Sequence, residues 1–269
     1  MPKSAMGRTV APQERQVDTC MWELLDLYAA SLLAHPPQKK VNLHDPSDRA
    51  RILVRLAKWT SPANFRWVAA TMRLIEAFHH AGGRRILLVG SCAEYDWSHG
   101  LCTEDETPLA PSTIYGACKD ACRRMARAYC AEAGLSLLWS RLFFLFGEGE
   151  DARRLVPSIA DALLGARPPF AVGADAKRDF LDVGQAADAC AHLLMSDVEG
   201  AINVASGQLT RIEDLVRRIA TALDANPNLI LGHTPPAPAG PPIIGADVGK
   251  LAAAGWRSSH SLSDGLATA

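Results

Sequence analysis

The chain has 269 residues, of which 48% are hydrophobic and 21% charged, and Lys+Arg 28 against Asp+Glu 29 gives a formal net charge of -1. This composition excludes a disordered chain, and the balanced charge argues against a general nucleic-acid-binding protein. The length predicts one or two domains with a core large enough to fold without disulfide bonds.

The N-terminal region has no apolar run of signal-peptide length. The hydrophobic stretch 21–34 carries Glu23 and Asp26 and is too short to cross a bilayer. The seven cysteines show no CxxC or Cys/His spacing, which favours buried thiols over a metal site. We therefore expect a cytoplasmic protein with no metal site and no association with membranes or nucleic acid.

From about residue 51 short apolar runs alternate with amphipathic segments, a pattern typical of α/β folds. Strands are predicted at 51–57, 85–90, 136–146, 179–183 and 201–204. Helices are predicted at 64–80, 113–133, 155–164, 185–195 and 212–223, the last opened by a capping box of Thr210 and Glu213. The proline-rich stretch 234–242 is predicted to be a surface connection.

Three polar residues are the best candidates for chemistry. Ser91 follows a predicted parallel strand, and ligands of open α/β sheets bind at that end of the strands. Tyr115 and Lys119 are four residues apart and share one face of a predicted helix. A phenol acts near neutral pH only if its pKa falls by about 3 units, or roughly 4 kcal/mol, and a nearby ammonium supplies part of that.

These residues lie in a pattern that resembles the extended short-chain dehydrogenase/reductase family, the NAD-dependent epimerase/dehydratases that act largely on nucleotide sugars. The matching segments are 89–95, 107–111, 115–119, 141–147, 155–157, 178–183 and 202–207, followed by Asp247, 250–251, 255–256, 261–262 and 265–266.

The resemblance implies a Rossmann-like, doubly wound parallel sheet with an incomplete N-terminal part and a small C-terminal α+β substrate-binding subdomain. It places the dinucleotide-binding domain at 1–150, with 1–50 atypical, and the substrate-binding region at 151–269. It also implies a homodimer formed through the helices at 64–80 and 113–133.

The resemblance also assigns roles to four residues. Tyr115 is the implied catalytic acid/base, and Lys119 holds the nicotinamide ribose and lowers the tyrosine pKa. Both residues thus bind the cofactor, NAD or NADP. Ser91 contacts the reacting oxygen, and Arg178 faces the phosphates of the substrate. Without the family context, Arg178 could equally form a surface ion pair with Asp179 or Asp182.

The sequence departs from the family pattern at its N-terminus. A dinucleotide site needs a glycine-rich turn, yet Gly7 is the one glycine in the first 81 residues, so NAD(P) binding is in question. The strand-like segment 41–45 lies too close to the next strand for a parallel crossover, so either it is not a neighbouring strand or a helix has been lost. Segment 20–34 is a candidate for the first helix.

Two further departures concern the reaction. Cys92 and Ala93 occupy the positions of the Asp-Glu pair of the dehydratase branch, so a 4,6-dehydratase is disfavoured, and Glu94 is expected to point elsewhere. Phe144 replaces an asparagine that contacts the sugar nucleotide in many members.

The sequence thus favours an NAD(P)-dependent epimerase or ketoreductase acting on a nucleotide sugar. The alternatives are a cofactor-impaired or non-catalytic family member, truncated or with a binding or structural role, and a cofactor-free acid/base enzyme.

Overall fold

A computed structural model of the chain describes residues 64–233 and 240–267. The predictions for segments 20–34, 41–45 and 51–57, and for most of the proline-rich stretch, lie outside these residues. The strands are β1 (Arg85–Ser91), β2 (Leu101–Cys102), β3 (Ser136–Leu142), β4 (Phe144–Phe146), β5 (Lys177–Asp182), β6 (Gly200–Val204), β7 (Leu209–Arg211) and β8 (Ile243–Ala246). The helices are α1 (Asn64–His80), α2 (Ile114–Ala133), α3 (Leu155–Leu163), α4 (Val183–Leu194), α5 (Ile212–Ala222), α6 (Asn228–Leu231), α7 (Gly249–Ala253) and α8 (Leu262–Leu266).

A parallel sheet with the strand order β1-β3-β6 forms the centre of the described fold. Alternate residues of β1 point to opposite faces, so Ile86 and Leu88 pack with Ile75 of α1 and Ala126 of α2. Helices α4 and α7 cover the other face, where Leu193 is fully buried. Helices on both faces of a parallel sheet confirm the expected doubly wound, Rossmann-like fold class.

A second sheet has the order β2-β8-β5-β4, with β7 pairing antiparallel to β5. The predicted strand 136–146 is split between the two sheets at Phe143, whose amide still donates to the Val204 carbonyl at the end of the first sheet. Helices α3 and α5 pack on the second sheet through a cluster that contains Ile159 and Leu215. This second sheet thus combines parallel and antiparallel strand pairs with packed helices.

The predicted capping box of α5 is wrong. Thr210 lies in β7, paired in register with Arg178 of β5, so the helix begins only at Ile212. Arg211 precedes the helix and makes no side-chain capping bond. Pairing between distant strands thus overrides a local helix-start pattern.

No helix in the described residues combines the length and the apolar character that crossing a bilayer requires.

Candidate active site

Ser91 is the last residue of β1, and a short 3₁₀ turn over Cys92–Glu94 follows it. The Ser91 Oγ accepts a hydrogen bond from the Ala93 amide at 3.2 Å, and the Glu94 carboxylate accepts one from the Ser91 amide at 2.8 Å. This reciprocal pair is a capping box. The turn therefore fixes the Ser91 hydroxyl at the carboxyl end of the parallel strand.

Glu94, the last residue of this turn, is fully buried. Besides the Ser91 amide, its carboxylate accepts hydrogen bonds from Trp139 Nε1 at 3.0 Å and from Arg141 Nε at 2.9 Å. There is no room for a side chain at Gly90, because a Cβ there would lie 2.1 Å from Trp139 Nε1. The backbone at Cys92–Glu94 is a 3₁₀ turn rather than extended, and the Glu94 carboxylate is held by the Ser91 amide, Trp139 and Arg141.

The N-terminus of α2 brings Tyr115 to Ser91. Thr113 caps the helix by accepting a hydrogen bond from the Gly116 amide at 3.1 Å. Gly116 lets the helix approach the turn closely, since a Cβ at this position would lie 2.1 Å from the Ala93 carbonyl oxygen. The Ser91 side chain acts to lower the pKa of the Tyr115 phenol. The structure thus brings these two predicted site residues together.

Lys119 lies one turn further along α2. Its ammonium donates a hydrogen bond to the Val89 carbonyl at 2.8 Å, and its Nζ is 6.0 Å from the centroid of the Tyr115 ring. Burial lowers the pKa of Lys119. Lys119 is therefore tied to the backbone of β1, two residues before Ser91.

The expectation of a lowered pKa for Tyr115 is wrong in the described structure. Burial of the phenol raises its pKa, and the nearby Cys92 and Glu94 add to this rise. The Ser91 side chain and the positive charge of Arg154 act in the opposite direction but do not offset the burial. Because desolvation disfavours the phenolate, Tyr115 is protonated near neutral pH.

Arg178 lies on β5 and is 9% exposed. Its guanidinium donates to the Lys177 carbonyl at 2.8 Å and to the Pro241 carbonyl at 2.9 Å, and it stacks over Phe144 at 5.7 Å. Among the described residues it has no carboxylate partner, so the alternative of a surface ion pair is wrong. Burial lowers its pKa, and an interaction with Cys92, next to Ser91, opposes that shift.

Asp179 and Asp182 serve structural roles instead. The Asp179 carboxylate accepts hydrogen bonds from the Ser206 and Gly207 amides, both at 2.9 Å. Asp182 caps α4 by accepting from the Gly184 amide at 2.8 Å. Both carboxylates are thus occupied by backbone donors.

Sequence reasoning missed Arg154, the residue that precedes α3. Its charge acts on both Tyr115 and Cys92. No local motif distinguishes it from Arg153, because its relation to the site depends on how the loop after β4 folds.

The model of the NAD dependent epimerase/dehydratase family matches residues 54–205 of this chain. The UDP-glucose 4-epimerase of Azospirillum brasilense is 25% identical over 226 residues, which cover 74% of this chain and 63% of the relative. The chain thus matches less than two thirds of that protein's length.

Solved structures also resemble the chain. MoeE5 in complex with UDP-glucose and NAD has a TM-score of 0.68 and 26% identity, covering 78% of this chain and 74% of MoeE5. The UDP-glucose 4-epimerase of Thermus thermophilus, in complex with NAD, has a TM-score of 0.67 and 21% identity, covering 94% of both chains. The second similarity concerns the fold alone.

Proposed function

Because the chain belongs to the NAD-dependent epimerase/dehydratase family, we propose that it is an NAD(P)-dependent epimerase or ketoreductase that acts on a nucleotide sugar. The observation that carries this proposal is the close approach of α2 to the carboxyl end of β1, where Gly116 lies against the Ala93 carbonyl and the Lys119 ammonium donates to the Val89 carbonyl at 2.8 Å. The similarity to UDP-glucose 4-epimerase and to MoeE5 supports the substrate class.

The donor groups near β1 fit the nicotinamide ribose of NAD(P). The Lys119 ammonium is an N–H donor suited to ribose hydroxyls, and the Tyr115 hydroxyl lies on the same face of α2. These two residues would hold that end of the cofactor, which when bound accepts a hydride from the sugar and returns it. The first 81 residues contain Gly7 as their one glycine and thus no glycine-rich turn for its pyrophosphate.

Tyr115 moves the proton in the proposed reaction. The ionised phenol would take the proton of the sugar hydroxyl as that carbon gives up a hydride, and the protonated phenol, which the raised pKa favours, would return the proton to the carbonyl oxygen when the hydride comes back. The Ser91 hydroxyl orients that same oxygen. The Arg178 guanidinium would bind the substrate phosphates, for which its planar fork of donors is suited.

Phe144 is an apolar residue at the position where many family members have an amide. Its ring packs on Phe180 at a centroid distance of 5.9 Å and under the Arg178 guanidinium. The Asp-Glu pair of the dehydratase branch is likewise replaced, by Cys92 and Ala93. We therefore favour epimerisation or ketone reduction over elimination of water.

The proposal is tested by incubating the full chain with NAD and UDP-glucose, and then with other UDP-hexoses, and separating the products by chromatography. We expect interconversion of one UDP-sugar with its epimer, or NAD(P)H-dependent reduction of a keto-sugar nucleotide. Absence of both reactions across the panel, with the protein folded and cofactor bound, would refute the proposed function.

The alternative of a non-catalytic family member rests on the glycine-poor N-terminal region, and the similarity to proteins that contain NAD does not favour it. A calorimetric titration with NADH and NADPH separates the two. Saturable binding supports the enzyme, whereas no binding at millimolar cofactor would favour the alternative.

A further inference from the structure

Arg178 is a buried cation that has no carboxylate partner in the described part of the chain. It is 9% exposed, and the carboxylate that follows it on β5, that of Asp179, accepts hydrogen bonds from the Ser206 and Gly207 amides instead. Burying a charge costs free energy unless other groups compensate it. A site that keeps this guanidinium buried without a carboxylate is therefore suited to an anionic ligand.

Two backbone carbonyls hold the Arg178 guanidinium. Its Nη1 donates to the Lys177 carbonyl at 2.8 Å, and its Nη2 donates to the Pro241 carbonyl at 2.9 Å. The Lys177 amide in turn donates to the Pro242 carbonyl at 2.7 Å, which fixes the segment before β8 against β5. A guanidinium has five N–H donors, so these two bonds leave three for a ligand.

The ring of Phe144 holds the same guanidinium without using a hydrogen-bond donor. The Arg178 Cζ lies over this ring, 5.7 Å from its centroid, which is within the range of about 6 Å for a cation–π contact. A guanidinium stacks on an aromatic ring through its face, whereas its N–H donors lie in its plane. Stacking on Phe144 and binding of an anion by Arg178 are therefore compatible.

Strand pairing and apolar packing fix the position of the Phe144 ring. Phe144 of β4 pairs in register with Phe180 of β5, and the two ring centroids are 5.9 Å apart. Phe180 and Arg178 are two residues apart on β5 and so point to the same face. Phe144 also packs against the apolar cluster that contains Cys92, the residue after Ser91. The ring thus contacts both Arg178 and the cluster next to Ser91.

Resting on the proposed binding of a nucleotide sugar, we propose that Phe144 is a positioning residue that acts through Arg178. Its ring, together with the Lys177 and Pro241 carbonyls, orients the guanidinium so that the remaining N–H donors bind the phosphates of a nucleoside diphosphate. Because these three contacts restrict the arginine before the ligand arrives, less side-chain freedom is lost on binding. Phe144 thus raises the affinity for phosphate without donating a hydrogen bond to the ligand.

The test is a calorimetric titration of the full chain with UDP and with inorganic pyrophosphate, which carries two linked phosphates without a base. Phe144→Leu and Phe144→Met remove the ring and keep an apolar side chain, while Phe144→Tyr keeps the ring. Phe143→Leu is the matched control, since this neighbouring phenylalanine packs on Tyr95 at a centroid distance of 6.5 Å. Circular dichroism and thermal melts limit the comparison to folded variants.

We expect Phe144→Leu and Phe144→Met to weaken the binding of both ligands by about three- to tenfold, the range for loss of a cation–π contact. Phe144→Tyr is expected to bind like the parent protein, and Phe143→Leu to bind within about twofold of it. In the Arg178→Lys background, where no planar fork remains to be oriented, Phe144→Leu is expected to weaken binding by at most about twofold. An undiminished loss in that background would overturn the inference, because Phe144 would then act independently of Arg178.

The same titrations separate this inference from the proposed function. Weaker binding by the ringless variants, without turnover of any nucleotide sugar, supports the role of Phe144 and counts against the enzyme assignment alone. Equal binding by Phe144→Leu, Phe144→Tyr and the parent protein overturns the inference and does not affect the proposed function. If the parent protein binds neither UDP nor pyrophosphate, the inference and the proposed substrate class are both wrong.

Discussion

Removing the charge of Glu94 is expected to destabilise the protein strongly. Glu94→Gln keeps the size of the side chain but leaves the fully buried Arg141 without its anion. The glutamine side chain also has one acceptor oxygen, whereas the carboxylate of the parent protein offers two to the donors of Ser91, Trp139 and Arg141. Breaking a buried ion pair by removing one partner costs about 3 to 5 kcal/mol, which corresponds to a fall in Tm of roughly 6 to 15 °C for a chain of this size.

The assay is urea and thermal unfolding of Glu94→Gln beside Glu213→Gln, which removes the surface ion pairs of Glu213 with Arg217 at 2.8 Å and with Arg211 at 3.0 Å. The control is expected to lose about 0.5 kcal/mol or less. Combining Glu94→Gln with Arg141→Met is expected to cost clearly less than the sum of the single variants, because the two side chains share one interaction. Equal stability of Glu94→Gln and the control would refute the role of the buried pair.

Three further predictions concern residues around the site. Gly116→Ala is expected to lower the free energy of unfolding by about 1 to 3 kcal/mol and to lower turnover, because the new Cβ would lie 2.1 Å from the Ala93 carbonyl oxygen. Unchanged stability in thermal melts would contradict the close approach of α2. Burial raises the pKa of Glu150 from 4.5 to about 7, so the free energy of unfolding falls as pH rises through that window. Glu150→Gln is therefore expected to increase the free energy of unfolding by up to about 3 kcal/mol above pH 7 and to leave it unchanged below pH 4.5. Parallel pH profiles of the two proteins would contradict this prediction. Arg178→Lys is expected to weaken calorimetric binding of UDP by about tenfold, through loss of the planar fork, while NADH binding stays unchanged; equal weakening of both ligands would point to a general loss of structure.

The elements that sequence predicted well carry their own start and stop signals. Helix α2 runs from Ile114 to Ala133, between the Thr113 cap and Gly134, whose φ of 65° is the left-handed conformation that glycine adopts readily. Strand β1 is a continuous apolar run that ends beside Gly90. Local sequence is sufficient in these cases because the signals lie within the element or next to it.

The elements that sequence missed are held by distant partners. Strands β2 and β8 are short and pair with each other across more than a hundred residues, and β7 is defined by its pairing with β5. The predicted strand 136–146 is divided because its second half pairs in another sheet. Such pairings leave no local pattern.

The same division applies to the candidate site. The spacing of Tyr115 and Lys119 on one helix, and the position of Ser91 after a strand, could be predicted from the sequence. The raised pKa of Tyr115 and the buried ion pair of Glu94 with Arg141 could not, because each depends on burial or on a contact between separate elements.

The proposed reaction depends most directly on the phenol of Tyr115. Turnover of the nucleotide sugar should be measured in Tyr115→Phe and in Tyr129→Phe, which removes a hydroxyl from the same helix, where it bonds His79 Nδ1 at 3.1 Å. We predict that Tyr115→Phe binds NAD(H) and melts like the parent protein but loses turnover by about 100-fold or more, while Tyr129→Phe retains it. Equal turnover in Tyr115→Phe and the parent protein would contradict the account.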